Sequence, residues 1–229
     1  MQPFKIPSPG DKPLVIAEIA LAHDGSLGNA IAYIRACADA GADAVKFQCH
    51  DGDPNDLWRT GVEHPQDKTR ADYWWRTGFN LGELWQLKDE AARCGVWFGV
   101  TPFSIYALRK AVAAECDFIK MARRCASTTL HRAAIATSLP VIHTGVGMLT
   151  SLGLDAYRLG VNIGISCHAP SIAPALDAVR RGALIVEKHI CWDRRQFGPD
   201  TEFSITIDEL SKLCETSPHK GNPCESLAS

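Results

Sequence analysis

The sequence predicts an α/β fold, a TIM-type (β/α) barrel that is short of one βα unit. Short apolar runs of strand length alternate along the chain with segments whose apolar residues recur at helical spacing. The runs are continuously apolar, which is typical of parallel strands that helices cover. Polar residues stand at their carboxyl ends, where a barrel of this type has its active site. A doubly wound open sheet is less favoured, because no glycine-rich first turn of the dinucleotide-binding type is present.

Seven strands are expected, each from its own apolar run. They span residues 13–20, 44–48, 96–103, 118–122, 140–146, 161–166 and 183–186. Helices are expected from the cap Ser26 to about residue 40, over 81–94, from Ser104 onward, from the caps Ser127 and Thr128 to 138, over 152–159 as a short helix, over 172–181, and over 209–214 as a last turn. The interval between the fifth and sixth strands is too short for a further βα unit. The barrel is therefore expected to have about seven strands or to be open at that point.

One domain is expected for 229 residues. Residues 1–12 form a lead-in, 13–214 the barrel, and 215–229 a Ser/Pro/Gly-rich tail that we expect to be disordered. A net charge of −2 gives no bulk electrostatic case for nucleic acid or an anionic membrane. Nine cysteines without a CxxC pair, no apolar run of membrane-spanning length and a polar start indicate a cytoplasmic protein with reduced thiols.

Two lysines on separate strands indicate an anion site at the rim. Lys46 and Lys120 would repel each other across a barrel unless an anion lay between them. The hydroxyls of Thr101 and Thr144 can donate to the same anion, and Arg123 can add a bidentate clamp. The alternative is that each lysine pairs with a carboxylate, such as Glu18 or Glu187. The last strand ends in three ionisable residues, 187–189, a concentration that is usual where chemistry happens.

Three matches in fixed order carry a resemblance to a known family. They are VIAEIALAHDGSLGNA with GADAVKFQ, VTPFS, and EKH followed by GPDTEFS. As a set they resemble the N-acetylneuraminate (sialic acid) synthase family over residues 13–213. The resemblance implies a condensation of phosphoenolpyruvate with a sugar-derived aldehyde, which forms a 2-keto-3-deoxy sugar acid and releases phosphate. It matches Glu18 to a carboxylate that contacts the sugar, and Lys46 and Gln48 to the KFQ motif.

The resemblance also implies a divalent metal, Mn²⁺ or Mg²⁺, that polarises the aldehyde. It places one of the two metal-binding histidines on the missing unit and the other at His168. His143, Cys167 and Glu187 are candidate partners for His168. Glu18, His168, Glu187 and Lys188 are the candidate catalytic groups. The C-terminal antifreeze-like domain of the family is absent from this sequence.

Two other functions stay open. A repurposed barrel could act as a lyase or isomerase on a phosphorylated or carboxylated sugar, with Glu187, Lys188 and His168 as acid, base or electrophile. A non-catalytic subunit could keep the fold without the chemistry. A missing βα unit would expose a sheet edge, so we expect a homodimer that covers it. The polar, aromatic segment 49–80 is either a functional loop or an ordered packing loop, and it is the candidate cover.

Overall fold

The computed structural model describes residues 3–8, 10–50, 67, 70–122, 128–144, 154–159 and 162–216. The strands are β1 (Leu14–Ala20), β2 (Ala44–Cys49), β3 (Trp97–Pro102), β4 (Phe118–Met121), β5 (Val141–Thr144), β6 (Leu154–Leu159), β7 (Asn162–Cys167), β8 (Ile185–Cys191) and β9 (Ile205–Thr206). The helices are α1 (Leu27–Asp39), α2 (Arg70–Thr77), α3 (Leu81–Arg93), α4 (Ile105–Ala113), α5 (Thr128–Ile135), α6 (Ala173–Arg180) and α7 (Ile207–Thr216). All seven expected strands are present, and the predicted fold class is confirmed.

The strands form one sheet in the order of the chain, from β1 to β9, and β1 also pairs with β8. Hydrogen bonding therefore returns from the eighth strand to the first, as in a barrel. Consecutive pairs from β1 to β5 are parallel, as are β7 with β8 and β8 with β1. This closure places the carboxyl ends of the parallel strands around one rim.

The short helix expected over residues 152–159 is wrong, because residues 154–159 form strand β6. This strand pairs antiparallel with both β5 and β7. It occupies the place of the βα unit that the sequence lacks, and an antiparallel neighbour needs only a short connection where a parallel one needs a crossover. The barrel is incomplete as a (β/α) repeat, yet its strand pairing is continuous. No open sheet edge at this position therefore requires a cover, and the expected homodimer stays a prediction without that support.

Local signals explain where the helices begin. Ser26, Asn80 and Ser104 each accept a hydrogen bond from a backbone N–H in the first turn of α1, α3 and α4. Asn80 also forms a reciprocal capping box with Glu83, whose side chain accepts from the Asn80 N–H.

Among the described residues, no helix is long and apolar enough to cross a membrane.

The two larger apolar clusters among the described residues form two layers. The larger one lies between the sheet and the helices and includes Val45, Phe98 and Leu210. The smaller one fills the barrel below the rim and is composed of Phe4, Leu14, Ile16, Ala44, Phe118, Ile142 and Ile185. Phe4 stacks on Phe118 with 4.5 Å between ring centroids, so the lead-in closes the amino-terminal end of the barrel. This apolar floor forces any chemistry to the opposite end.

Gly99 makes room for the interior ring of Phe118. A Cβ built at Gly99 would overlap the Phe118 ring, which is fully buried and stacked on Phe4. We expect Gly99→Ala to lower the free energy of unfolding by about 1–3 kcal/mol, because the ring has no free space to enter. Gly28→Ala, at an open site in α1, is the matched control and should be neutral or stabilising. Urea unfolding of both variants measures the difference, and equal stabilities would contradict the packing.

The segment expected to be a loop over 49–80 contains helix α2. Arg76 on this helix donates to the Asp24 carboxylate and carbonyl, both at 2.8 Å, and to the Asp67 carboxylate at 2.9 Å. Trp74 is 8% exposed. This part of the segment is thus an ordered packing element held against the turn after β1. Residues 51–66 and 68–69 lie outside the described residues.

Candidate active site

A cluster of buried polar side chains lies inside the barrel, one step above the apolar floor. Strand side chains alternate between the two faces, so an interior apolar residue predicts an interior residue two positions later. Ile16, Ala44, Phe118 and Ile185 belong to the floor. The residues two positions later are Glu18, Lys46, Lys120 and Glu187, each at most 7% exposed. Four strands that are distant in sequence thereby bring four ionisable groups together.

Lys46 stands at the centre of this cluster. Its ammonium contacts the Glu18 carboxylate and donates to Thr101 Oγ1 at 2.6 Å. Its Nζ also lies 3.7 Å from Glu187 Oε2. Lys46 therefore lies beside Thr101, and the expectation that both contact one anion stays a prediction.

Glu187 joins the two lysines. Lys120 Nζ donates to Glu187 Oε1 at 2.6 Å, and Ser166 Oγ donates to the same oxygen at 2.9 Å. Lys46 and Lys120 thus converge on one carboxylate, as expected of an anion. That carboxylate is the protein's own, and Glu18 holds Lys46 as well. The structure shows the alternative pairing, in which each lysine has a carboxylate, and corrects the expectation that the ammonium groups are free for a ligand.

Burial and mutual charge set the protonation of the cluster. Burial lowers the pKa of Lys46 to about 7; Glu187 raises it and Lys120 lowers it further. Burial opposes ionisation of Glu187, but Lys120 and Lys46 outweigh it and hold the pKa of Glu187 well below its usual range. Near neutral pH, Glu187 is therefore an anion and Lys46 is poised between its two forms.

A pair of imidazoles borders the cluster. His168 and His189 face each other with 5.2 Å between ring centroids. His168 Nε2 lies 3.3 Å from Ser166 Oγ, and His189 Nδ1 lies 3.9 Å from Asp200 Oδ2. Burial, and then His168, lower the pKa of His189 well below the ordinary value, so the His189 ring is neutral. A neutral imidazole keeps the lone pair that a metal requires.

These two histidines are the residues that could hold a divalent metal. No group of three or more His, Cys, Asp or Glu with metal-binding geometry occurs within the described ranges. The two imidazoles fit such an ion only if water or substrate oxygens complete its coordination, as at open catalytic sites. The metal partners expected for His168 are corrected in part. Cys167 is buried in the layer between sheet and helices, and the His143 side chain lies outside the described residues.

Lys188 does not join the interior cluster. It follows Glu187 on β8 and therefore faces the opposite side of the sheet. Its Nζ donates to the backbone carbonyls of Cys167 at 3.1 Å, Phe203 at 2.7 Å and Ala169. The expectation that Lys188 acts beside Glu187 as an acid or base is corrected by this alternation.

Gln48 lies at the rim and is held by a neighbour. Its Oε1 is 3.1 Å from His50 Nε2. The His50 ring is sandwiched between Trp74 and Phe103, with centroid distances of 4.4 and 3.9 Å. His50 thereby fixes the orientation of the Gln48 amide. Of the remaining candidates, Arg123 and the Thr144 side chain lie outside the described residues.

Sequence reasoning missed two polar residues of the site, His50 and Ser166, and it noted His189 beside Glu187 without giving it a role. His189 stands two positions after Glu187 on one strand, and Ser166 two before His168. Period-two alternation, applied outward from Glu187 and His168, was the signal that could have found them. No comparable signal marks His50, because its position depends on the packing of α2.

Comparison with known proteins gives this geometry a context. The model of the NeuB family matches residues 33–156 and 154–220. The N,N'-diacetyllegionaminic acid synthase of Campylobacter jejuni is 26% identical, over 89% of this chain and 75% of its own length. The N-acetylneuraminate-9-phosphate synthase of Drosophila melanogaster is also 26% identical, over 89% of this chain and 66% of its own length.

Solved structures share the fold. The N-acetylneuraminic acid synthetase of Leptospira borgpetersenii superposes with a TM-score of 0.74 and 24% identity, over 90% of this chain and 83% of that one. A truncated 3-deoxy-D-arabino-heptulosonate 7-phosphate synthase of Thermotoga maritima gives a TM-score of 0.62 at 12% identity, over 92% and 89%. These neighbours support the barrel, and the family match covers more than half of the chain. The chain belongs to the NeuB family.

Proposed function

We propose that this chain condenses phosphoenolpyruvate with a sugar-derived aldehyde to form a 2-keto-3-deoxy sugar acid and phosphate. The observation that carries the proposal is the convergence of Lys46 and Lys120, two buried lysines from β2 and β4, on Glu187. Two relatives are named as sugar-acid synthases. In the reaction, C3 of phosphoenolpyruvate forms the new bond to the aldehyde carbon. Water adds to C2, and the C–O bond to phosphate then breaks.

The cluster must rearrange to take this substrate. When both lysines are protonated, Lys46, Lys120, Glu18 and Glu187 are formally neutral together, with two positive and two negative groups. The phosphate or carboxylate of phosphoenolpyruvate would replace Glu187 on Lys120 or share it, and Thr101 would donate to the same ligand. Displaced from the lysine, Glu187 could accept a proton from the water that adds to C2.

The aldehyde end lies at the imidazoles. His168 and His189 would hold a divalent metal, which when bound supplies Lewis-acid polarisation of the aldehyde oxygen. Gln48, oriented by His50, would donate its amide N–H groups to the acceptor. Glu18 lies on β1 next to Lys46 and would contact the sugar. Each role belongs to a side chain that faces the carboxyl-terminal rim of the barrel.

One observation favours a second candidate, a non-catalytic barrel of the same family. Both buried lysines already have carboxylate partners, so neither ammonium group needs a ligand to balance its charge. A subunit that had lost its chemistry would need such pairing to bury the charges. Binding of phosphoenolpyruvate separates the two candidates, since only the synthase must break these pairs.

Phosphate release tests the proposed reaction. Phosphoenolpyruvate is added with a panel of amino-sugar and sugar aldehydes, with Mn²⁺, with Mg²⁺ and with a chelator. The synthase should release phosphate in step with loss of phosphoenolpyruvate, and only when an aldehyde is present. Absence of release with every aldehyde and both metals would count against the proposal and for the non-catalytic barrel.

Binding should also take up a proton. The pKa of Lys46 in the free protein is about 7, so at pH 8 this amine is mostly neutral. A multiply charged anion raises that pKa and draws a proton onto Lys46. We expect uptake of about one proton per chain at pH 8 and much less at pH 6, where Lys46 is already charged. Calorimetry in buffers of different ionisation enthalpy measures it, and an uptake that survives in Lys46→Met would refute the assignment to Lys46.

A further inference from the structure

The outward-facing lysine of β8 makes contacts that the proposed chemistry does not use. Lys188 is fully buried, at 0% exposure. Its ammonium has three N–H donors, and three backbone carbonyls accept from it: those of Cys167, Ala169 and Phe203. Burial lowers the pKa of Lys188. Keeping its ammonium charged in the interior therefore costs free energy that an apolar side chain at this position would not.

The three carbonyls belong to the two segments that border the histidine pair. Cys167 and Ala169 are the residues on either side of His168. Phe203 ends a short 3₁₀ helix (Thr201–Phe203) that directly follows Asp200, and Asp200 lies 3.9 Å from His189. One ammonium group therefore ties the backbone that carries His168 to the backbone that follows Asp200.

We propose that Lys188 is a positioning residue that sets the His168 ring against His189 by clamping the main chain around both. The proposal rests on the proposed function for what the histidines do. It also gives the run 187–189 a consistent physical reading. Glu187 and His189 face the barrel interior. Lys188, between them, faces the opposite side of the sheet and holds the backbone next to His168 and at Phe203. Charge-assisted hydrogen bonds to three carbonyls hold a backbone more firmly than a packed apolar side chain would.

The test compares Lys188→Met with Val186→Ala. Methionine keeps most of the volume of lysine but removes every donor. Val186 lies on the same face of β8, is fully buried in the layer between sheet and helices, and has no hydrogen-bonding group in its side chain, so its truncation controls for lost stability. The first readout is the imidazole ¹⁵N–¹H spectrum of the apo protein. His23 serves as the internal reference, because its ring stacks on Phe79, away from the clamp.

We expect the His168 signals to move in Lys188→Met and to stay in place in Val186→Ala, with His23 unchanged in both. Outer partners of metal ligands typically affect affinity by 10–100-fold, so Mn²⁺ binding should weaken by about that factor in Lys188→Met. Phosphoenolpyruvate affinity should change by less than about twofold, because Lys46 and Lys120 are untouched. Lys188→Gln keeps two amide N–H donors, so its His168 signals and its Mn²⁺ affinity should lie between those of the wild-type protein and of Lys188→Met.

Unchanged His168 signals in folded Lys188→Met, with a stability loss like that of Val186→Ala, would overturn the proposal. If Lys188→Met does not fold, Lys188→Gln takes its place with the same criterion. If neither folds, a role beyond stability is likewise rejected. Failure of the wild-type protein to bind phosphoenolpyruvate would defeat the proposed function instead, and the spectra of the apo proteins would still decide the role of Lys188.

Discussion

Replacing Glu187 by methionine should lower the free energy of unfolding by about 3–5 kcal/mol. The substitution leaves Lys120 without its carboxylate and deprives Lys46 of one of two. Both ammonium groups are almost completely buried, so water cannot replace the lost partner. Urea unfolding at pH 7 measures the change, and near-wild-type stability would show that the cluster is hydrated rather than buried.

A double variant supplies the control. Lys120→Met combined with Glu187→Met removes both charges of the pair, and replacing a buried ion pair by apolar residues is often close to neutral. The double variant should therefore be more stable than Glu187→Met alone. A double variant as unstable as the sum of the single changes would mean that the two residues do not interact as the structure shows.

Replacing His168 or His189 by alanine should lower the rate of phosphate release by about 10²–10⁴-fold, the range typical of lost acid–base or electrophilic help. Affinity for phosphoenolpyruvate should change by less than about threefold, because that end of the site belongs to the lysines. Steady-state kinetics with the best aldehyde of the panel, together with binding of phosphoenolpyruvate alone, measure both quantities.

His131 is the matched control for these two variants. It lies on α5, outside the interior cluster, so His131→Ala should retain the wild-type rate. If His168→Ala and His189→Ala lost affinity for phosphoenolpyruvate as much as rate, the separation of an anion end from an aldehyde end would be wrong.

The barrel could be predicted because its determinants are local. Continuous apolar runs, caps such as Ser26 and Ser104, and polar strand ends each appear within a short window of sequence. Strand β6 could not be predicted, because its sequence LDAYRL shows only weak alternation of apolar and polar residues. Its strand state depends on β5 and β7 being available on both sides, which is a tertiary effect.

The site, too, could be predicted only in part. The barrel and the alternation of strand side chains together predict that Lys46 and Lys120 meet. That Glu187, and not a ligand, lies between them depends on distances across the barrel, which no sequence window contains. The role of Lys188 was misjudged because three consecutive ionisable residues were treated as one group, although neighbours on a strand face opposite sides.

Calorimetric titration with phosphoenolpyruvate tests the central claim most directly, because that claim is that two interior lysines from β2 and β4 bind one small anion. Wild-type protein and the surface control Lys212→Met should bind with the same affinity, whereas Lys46→Met and Lys120→Met should each weaken binding by at least about 100-fold, as expected for loss of a charge-assisted contact in a buried site. No heat of binding in the wild-type protein, or equal affinity in all four proteins, would contradict the account.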